Sequence, residues 1–79
     1  MNIDDYVWQR TSGDEWIFGP MVRGIVREIV AEVYFNEKDD SREGGWIWLT
    51  LHGPKMVRGN APSLQHAAAF VEEALVAPS

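Results

Sequence analysis

"VRGIVREIVAEVYF", residues 22–35, decides the fold, because it fits two periods at once. Val22, Ile25, Val26, Ile29, Val30 and Val33 recur at helical spacing. Ile25, Arg27, Ile29, Ala31, Val33 and Phe35 also alternate with Gly24, Val26, Glu28, Val30, Glu32 and Tyr34, as in a strand. Composition favours the strand. β-Branched and aromatic side chains lose χ1 freedom in a helix and pack well on a pleated surface. Gly24 is a poor helix residue, and no good N-cap precedes the run. The reading is one long strand over residues 24–36, with a helix as the alternative.

Downstream, "NEKDDSREGG" (36–45) is a polar loop, and "GGWIWLTLHG" (44–53) alternates again. Trp46, Trp48, Thr50 and His52 share one face of that strand, while Ile47, Leu49 and Leu51 share the other. "GPKMVRGNAP" (53–62) reads as a loop rich in Gly and Pro. Ser63 then stands where an N-cap belongs. Leu64, Ala67, Ala68, Val71, Ala74 and Leu75 repeat at three and four, with Phe70 flanking, so an amphipathic helix runs up to the stop at Pro78. Upstream, "DYVWQR" (5–10) and "EWIFG" (15–19) flank "TSGD" (11–14), where Gly13 supplies a positive φ; this is a hairpin. The expected fold is α+β: a small antiparallel sheet of three to four strands with one C-terminal helix on one face, in a single domain over residues 1–79.

Seventy-nine residues leave little core to spare. A chain of this size buries only roughly 60–65% of its unfolded surface. With 46% hydrophobic and 24% charged residues, and four tryptophans, it belongs among folded rather than disordered chains. It has no cysteine, so neither disulfides nor thiolate chemistry enter. "MNIDDYVWQR" does not read as a signal peptide, and no apolar run approaches the ~20 residues of a membrane span. A cytoplasmic protein is expected. Twelve acids against seven bases give a net charge of −5, which disfavours direct contact with nucleic acid or anionic lipid.

Catalysis is not expected. His52 and His66 lack metal-ligand spacing, and neither has a partner at a motif distance. Asp4-Asp5, Asp14-Glu15, Asp39-Asp40 and Glu72-Glu73 are adjacent pairs, whose side chains diverge, whereas catalytic carboxylates converge on one cleft. "NEKDDSREGG" lacks the spaced oxygens of a calcium loop, and "HGPKMVRG" (52–59) is not a phosphate-binding loop. No serine sits in a nucleophile elbow. No metal and no cofactor are therefore assigned. What remains is surface. Trp46 and Trp48, with Trp8 or Trp16 on a neighbouring strand, form either part of the core or an exposed aromatic patch, and indoles are enriched in binding hot spots.

The layout of a hairpin, a strand with a W-x-W core (Trp46, Trp48), "GNAPSL" (59–64) and an Ala-rich helix ending "FVEEAL" (70–75) resembles short phage and prophage accessory proteins. Some small acidic members are anti-CRISPR proteins, which block a bacterial effector complex by occupying its surface, in places by imitating DNA charge. The resemblance implies a non-enzymatic protein-binding chain in the host cytoplasm. A DNA mimic needs several carboxylates on one face. Asp4, Asp5, Asp14 and Glu15 are expected to meet on the first hairpin, Asp39 and Asp40 to join from the loop, and Glu28 and Glu32 to share a face of the long strand. The leading expectation is an inhibitor that meets a basic partner surface, such as that of a CRISPR effector complex, with these carboxylates and with Trp46 and Trp48 as anchor. The alternative is a homodimer that buries the Trp-rich sheet face. A third reading, a ligand site or small enzyme around His52, is held below both.

Overall fold

A computed structural model describes residues 2–36, 45–52 and 56–76. Among the described residues the chain forms six strands, β1 (Tyr6–Ser12), β2 (Glu15–Val22), β3 (Ile25–Val26), β4 (Ala31–Phe35), β5 (Trp46–Thr50) and β6 (Arg58–Ala61), then one helix, α1 (Leu64–Val76). The sheet is an antiparallel meander in the order β1-β2-β4-β5-β6, with β3 paired to the far end of β2. The α+β class and the C-terminal helix are as expected. The strand count is six rather than three to four, for two reasons.

First, the stretch at 22–35 is strand, as composition favours, but it is two strands and contains no helix. Met21 pairs with Val26 and Phe18 with Ala31, which is three steps along β2 against five along the returning chain. Two residues are therefore extra, and the chain bulges over 27–30. The bulge explains why two periods fitted. It lets Val30 and Ala31, adjacent in sequence, both enter the core. Second, Arg58–Ala61 forms an edge strand although Arg, Gly and Asn are weak strand formers. Tertiary context supplies what propensity lacks: the Trp48 indole lies flat against Gly59, where an added Cβ would stand 2.7 Å from the ring. Thr50 closes the pair, its N–H donating to the Val57 carbonyl and its Oγ1 accepting from the Val57 N–H, both at 2.8 Å.

The β1–β2 hairpin forms as read, with Gly13 at φ +42° in its turn. The β2–β3 turn places Arg23 and Gly24 at φ +56° and +81°, the two positive values of a type I′ turn. In α1, Ser63 Oγ accepts the His66 backbone N–H at 3.1 Å, which is the N-cap bond the sequence suggested. The same hydroxyl lies 2.7 Å from His66 Nδ1, so His66 occupies the position a Glu takes in a capping box.

The pairing register puts Trp8, Trp16, Phe18, Ala31, Val33, Trp46, Trp48 and Ala61 on one face, and α1 packs on that face through Ala67, Val71 and Leu75. These three helix residues are fully buried and spaced by four, a narrow stripe centred over β5 with β4 and β6 beside it. The opposite face is not left bare. Ile17 and Ile47 are buried there, and Leu49 and Tyr34 are half-buried. At the β1–β2 side the returning chain crosses behind the sheet. Gly19 faces the Glu28 carbonyl and the Val26 side chain, and Gln9 Oε1 accepts the Val26 N–H at 3.1 Å.

Candidate interaction site

All four indoles stand on the helix side of the sheet, and geometry sets what becomes of them. Five strands in line span about 19 Å between their outer axes, while one helix with its side chains is ~10–12 Å across. A single helix over β5 cannot roof the whole sheet, and large side chains must fill the flanks. Trp46 stacks near Phe35 with ring centroids 5.2 Å apart, and Trp48 meets Phe70 at 5.8 Å. Both Trp46 and Trp48 are half-buried and pack against the core, the first of the two alternatives that the sequence left open for them.

On the other flank, over β1 and β2, the helix does not reach. Trp8 lies against Phe18 at 4.5 Å, and Trp16 stands on the next strand. Between these indoles and the first turns of α1 lies an open cleft of about 410 Å³, lined by Trp8, Trp16, Leu64, Gln65 and Ala68. A smaller hollow of about 370 Å³ lies beyond the helix, lined by Trp48, Phe70, Glu73 and Ala74. The Nε1–H groups of Trp8 and Trp48 are buried with no acceptor among the described residues. The sequence placed Trp8 or Trp16 beside Trp46 and Trp48 on a shared face. It could not say that the helix would divide them, because which strand a helix lies over is set by packing and not by its own period.

The carboxylates do not form one row. The β1–β2 register sets Tyr6 against Pro20 at one end and Ser12 against Glu15 at the other. Asp4 and Asp5 therefore sit at the open end of the hairpin and Asp14 and Glu15 at its turn, about 20 Å apart at ~3.3 Å per residue, and the expected meeting of the four does not occur. All four are exposed. Glu32 is half-buried on the face away from the helix, opposite Leu49. Glu28 lies in the bulge, where alternation fails, so its face does not follow from that of Glu32. It forms an exposed pair with His52 at 3.8 Å, so His52 serves a surface contact. Asp39 and Asp40 lie outside the described residues. Glu72 and Glu73 are exposed on α1.

The β2–β3 hairpin was not anticipated from the sequence. Met21, Val22 and Ile25 are exposed on the β2–β3 hairpin, around the Arg23-Gly24 turn. The X-Gly pair between apolar residues was the available cue. Among the described residues no three His, Asp or Glu side chains converge as metal ligands, and no helix is long and apolar enough to cross a membrane. No family model, curated protein or solved structure matches the chain.

Proposed function

We propose that the protein is a non-catalytic binding module that blocks a basic, nucleic-acid-binding surface of a protein complex by occupying it, in the manner of anti-CRISPR proteins. One observation carries the reading: an open cleft walled by Trp8 and Trp16 lies on the same hairpin as four exposed carboxylates, Asp4, Asp5, Asp14 and Glu15. Indoles that bury on contact supply affinity. The exposed carboxylates of the hairpin supply long-range steering toward Lys and Arg, and that contribution weakens with salt. The aromatic anchor moves from Trp46 and Trp48 to Trp8 and Trp16. This reading is preferred to the dimer alternative because Trp46 and Trp48, which a second copy was to cover, already pack against this chain's own core.

The test is affinity capture from the source cell by immobilised protein, with elution by a salt gradient. Wild type should retain a nucleic-acid-binding complex and release it as salt rises. Gln65→Lys, at an exposed position on the cleft wall, and Asp14→Asn/Glu15→Gln should each reduce retention. Equal retention by all three proteins refutes the reading.

A further inference from the structure

We propose that two copies of this chain pair edge to edge through β1, antiparallel about a two-fold axis beside Trp8, and join their sheets into one. The pairing stands apart from the blockade reading, since the backbone of the β1 edge carries it and not the indoles. It follows from where the hydrogen bonds of β2 go. The Asp14, Phe18 and Pro20 carbonyls accept the N–H groups of Phe35, Val30 and Arg27, so the even-numbered residues of β2 turn their backbone toward β3 and β4. Its odd-numbered residues then serve β1, because the hydrogen-bonding groups alternate sides along a strand. Ile17 and Gly19 stand opposite Gln9 and Val7, so Gln9 and Val7 bond inward. Tyr6, Trp8 and Arg10 direct their backbone groups outward, with the Tyr6 N–H donating to the Ile3 carbonyl at 3.0 Å. Among the described residues no strand pairs with this outer edge. Open edges are ordinarily blunted by brevity, lysine, proline or a bulge. The opposite edge, β6, is four residues long and runs into Pro62. β1 is seven residues long without lysine or proline, and its bulge lies past Arg10, which leaves Tyr6–Arg10 regular.

Charge and register select a second copy as the occupant. Exposed Asp4 and Asp5 precede β1, and exposed Arg10 stands near its end. An antiparallel copy lays the start of one β1 along the end of the other, so acid meets base on both sides of the axis. With Trp8 opposite its counterpart, the two tryptophans exchange both of their hydrogen bonds, and each Arg10 N–H donates to the Tyr6 carbonyl of the second copy. Arg10 then lies on the diagonal to Asp4 of the second copy, within reach of a long side chain. Its Nε donates to the Gly13 carbonyl at 2.7 Å, and the guanidinium has further donors for a carboxylate. Moving the axis to Gln9 sets Asp4 beside Asp14 and runs the pairing into the bulge. Moving it to Val7 leaves the Trp8 carbonyl without a donor, because the Tyr6 N–H is taken by Ile3. A two-fold axis normal to the sheet keeps both copies of α1 on one side. The two Trp8–Trp16 clefts then adjoin, with the Trp8 Cα atoms about 5.5 Å apart across the axis.

The test is sedimentation equilibrium from low micromolar to near-millimolar concentration, with amide hydrogen exchange followed by NMR on the same samples. The protein should pass from monomer to dimer as concentration rises. The Trp8 and Arg10 amides should gain protection in step with the dimer, while those of Val7 and Gln9 are protected throughout. Charge swaps then identify the arrangement. Arg10→Asp sets acid against acid across the axis, and Asp4→Arg/Asp5→Arg sets base against base. Each should weaken the dimer by at least about tenfold at low salt. The two variants mixed in equal amounts should pair with each other, because one carries acid at both ends of β1 and the other base. All three positions are exposed, and circular dichroism melts check that each variant keeps the fold. A monomer at every concentration overturns the proposal. A dimer whose Trp8 and Arg10 amides still exchange freely also overturns it, since the contact then lies elsewhere. A mixture of the variants that pairs no better than either alone overturns it as well.

Discussion

Gly19→Ala should cost the protein much of its stability, and the reason lies in the crossing behind the sheet. A Cβ at this position would occupy the site of the Glu28 carbonyl oxygen and stand 3.1 Å from Val26 Cγ1. The obstacle is backbone, which cannot swing aside as a side-chain tip does. Residues 26–28 would have to lift from β1 and β2. Lifting them threatens two hydrogen bonds, Val26 N–H to Gln9 Oε1 at 3.1 Å and Arg27 N–H to the Pro20 carbonyl at 3.2 Å. Each contributes about 0.5–1.5 kcal/mol net. Forcing a methyl into a packed site adds roughly 1–3 kcal/mol. The expected loss is about 3 kcal/mol, against a total of ~4–12 kcal/mol for a chain of this length. For a small domain it lowers Tm by roughly 12–24 °C, at about 4–8 °C per kcal/mol. Urea and thermal melts followed by circular dichroism measure it. Gln9→Ala, which removes one of the two bonds and adds no bulk, should cost only ~1 kcal/mol. A Gly19→Ala protein within about 0.5 kcal/mol of wild type, the usual range of a surface change, would refute the crossing and the bulge that creates it.

Other positions test other contacts. Gly59→Ala should cost about 1–3 kcal/mol and displace the Trp48 indole signal, since that ring must tilt off β6 to admit the methyl. Ser63→Ala should cost roughly 0.5–2 kcal/mol through loss of the N-cap, while Ser63→Asp should hold or gain stability because the first turn of α1 carries no acid. Arg23→Asn should raise stability, by up to about 1 kcal/mol in a chemical melt, because Asn tolerates the left-handed φ of +56° that Arg adopts under strain.

The sequence was most legible where one local signal stood alone. The turn read at 11–14, the strand read at 46–52 and the helix after Ser63 each rest on spacing that admits one element, and each is present, with the turn narrowed to Gly13-Asp14 and the strand ending at Thr50. Legibility failed where partners decide. Arg58–Ala61 has no strand propensity and is recruited by an indole eleven residues earlier. The break at 27–30 follows from a register mismatch between two stretches of β2, which no window along 22–35 contains. The site shows the same division. That the tryptophans share a face followed from period and pairing. Which of them the helix would leave uncovered depended on its seat over β5, and the distance between the acid pairs depended on which end of the hairpin each occupies.

The meander has a consequence for how the chain is made. Every strand pairs with the one before it except β4, which pairs with β2 across the two-residue β3, so each ladder can close as its second strand leaves the ribosome, without waiting for a distant segment. The helix is the exception. It follows all six strands in the chain, and until it docks, Trp46, Trp48, Val33 and Ala61 stand on an open sheet. A nascent chain arrested near residue 62 would display its most adhesive face with no internal cover, in a form prone to aggregation and to holding by chaperones. The thirteen residues of α1 thus shield a face whose every strand is made before them.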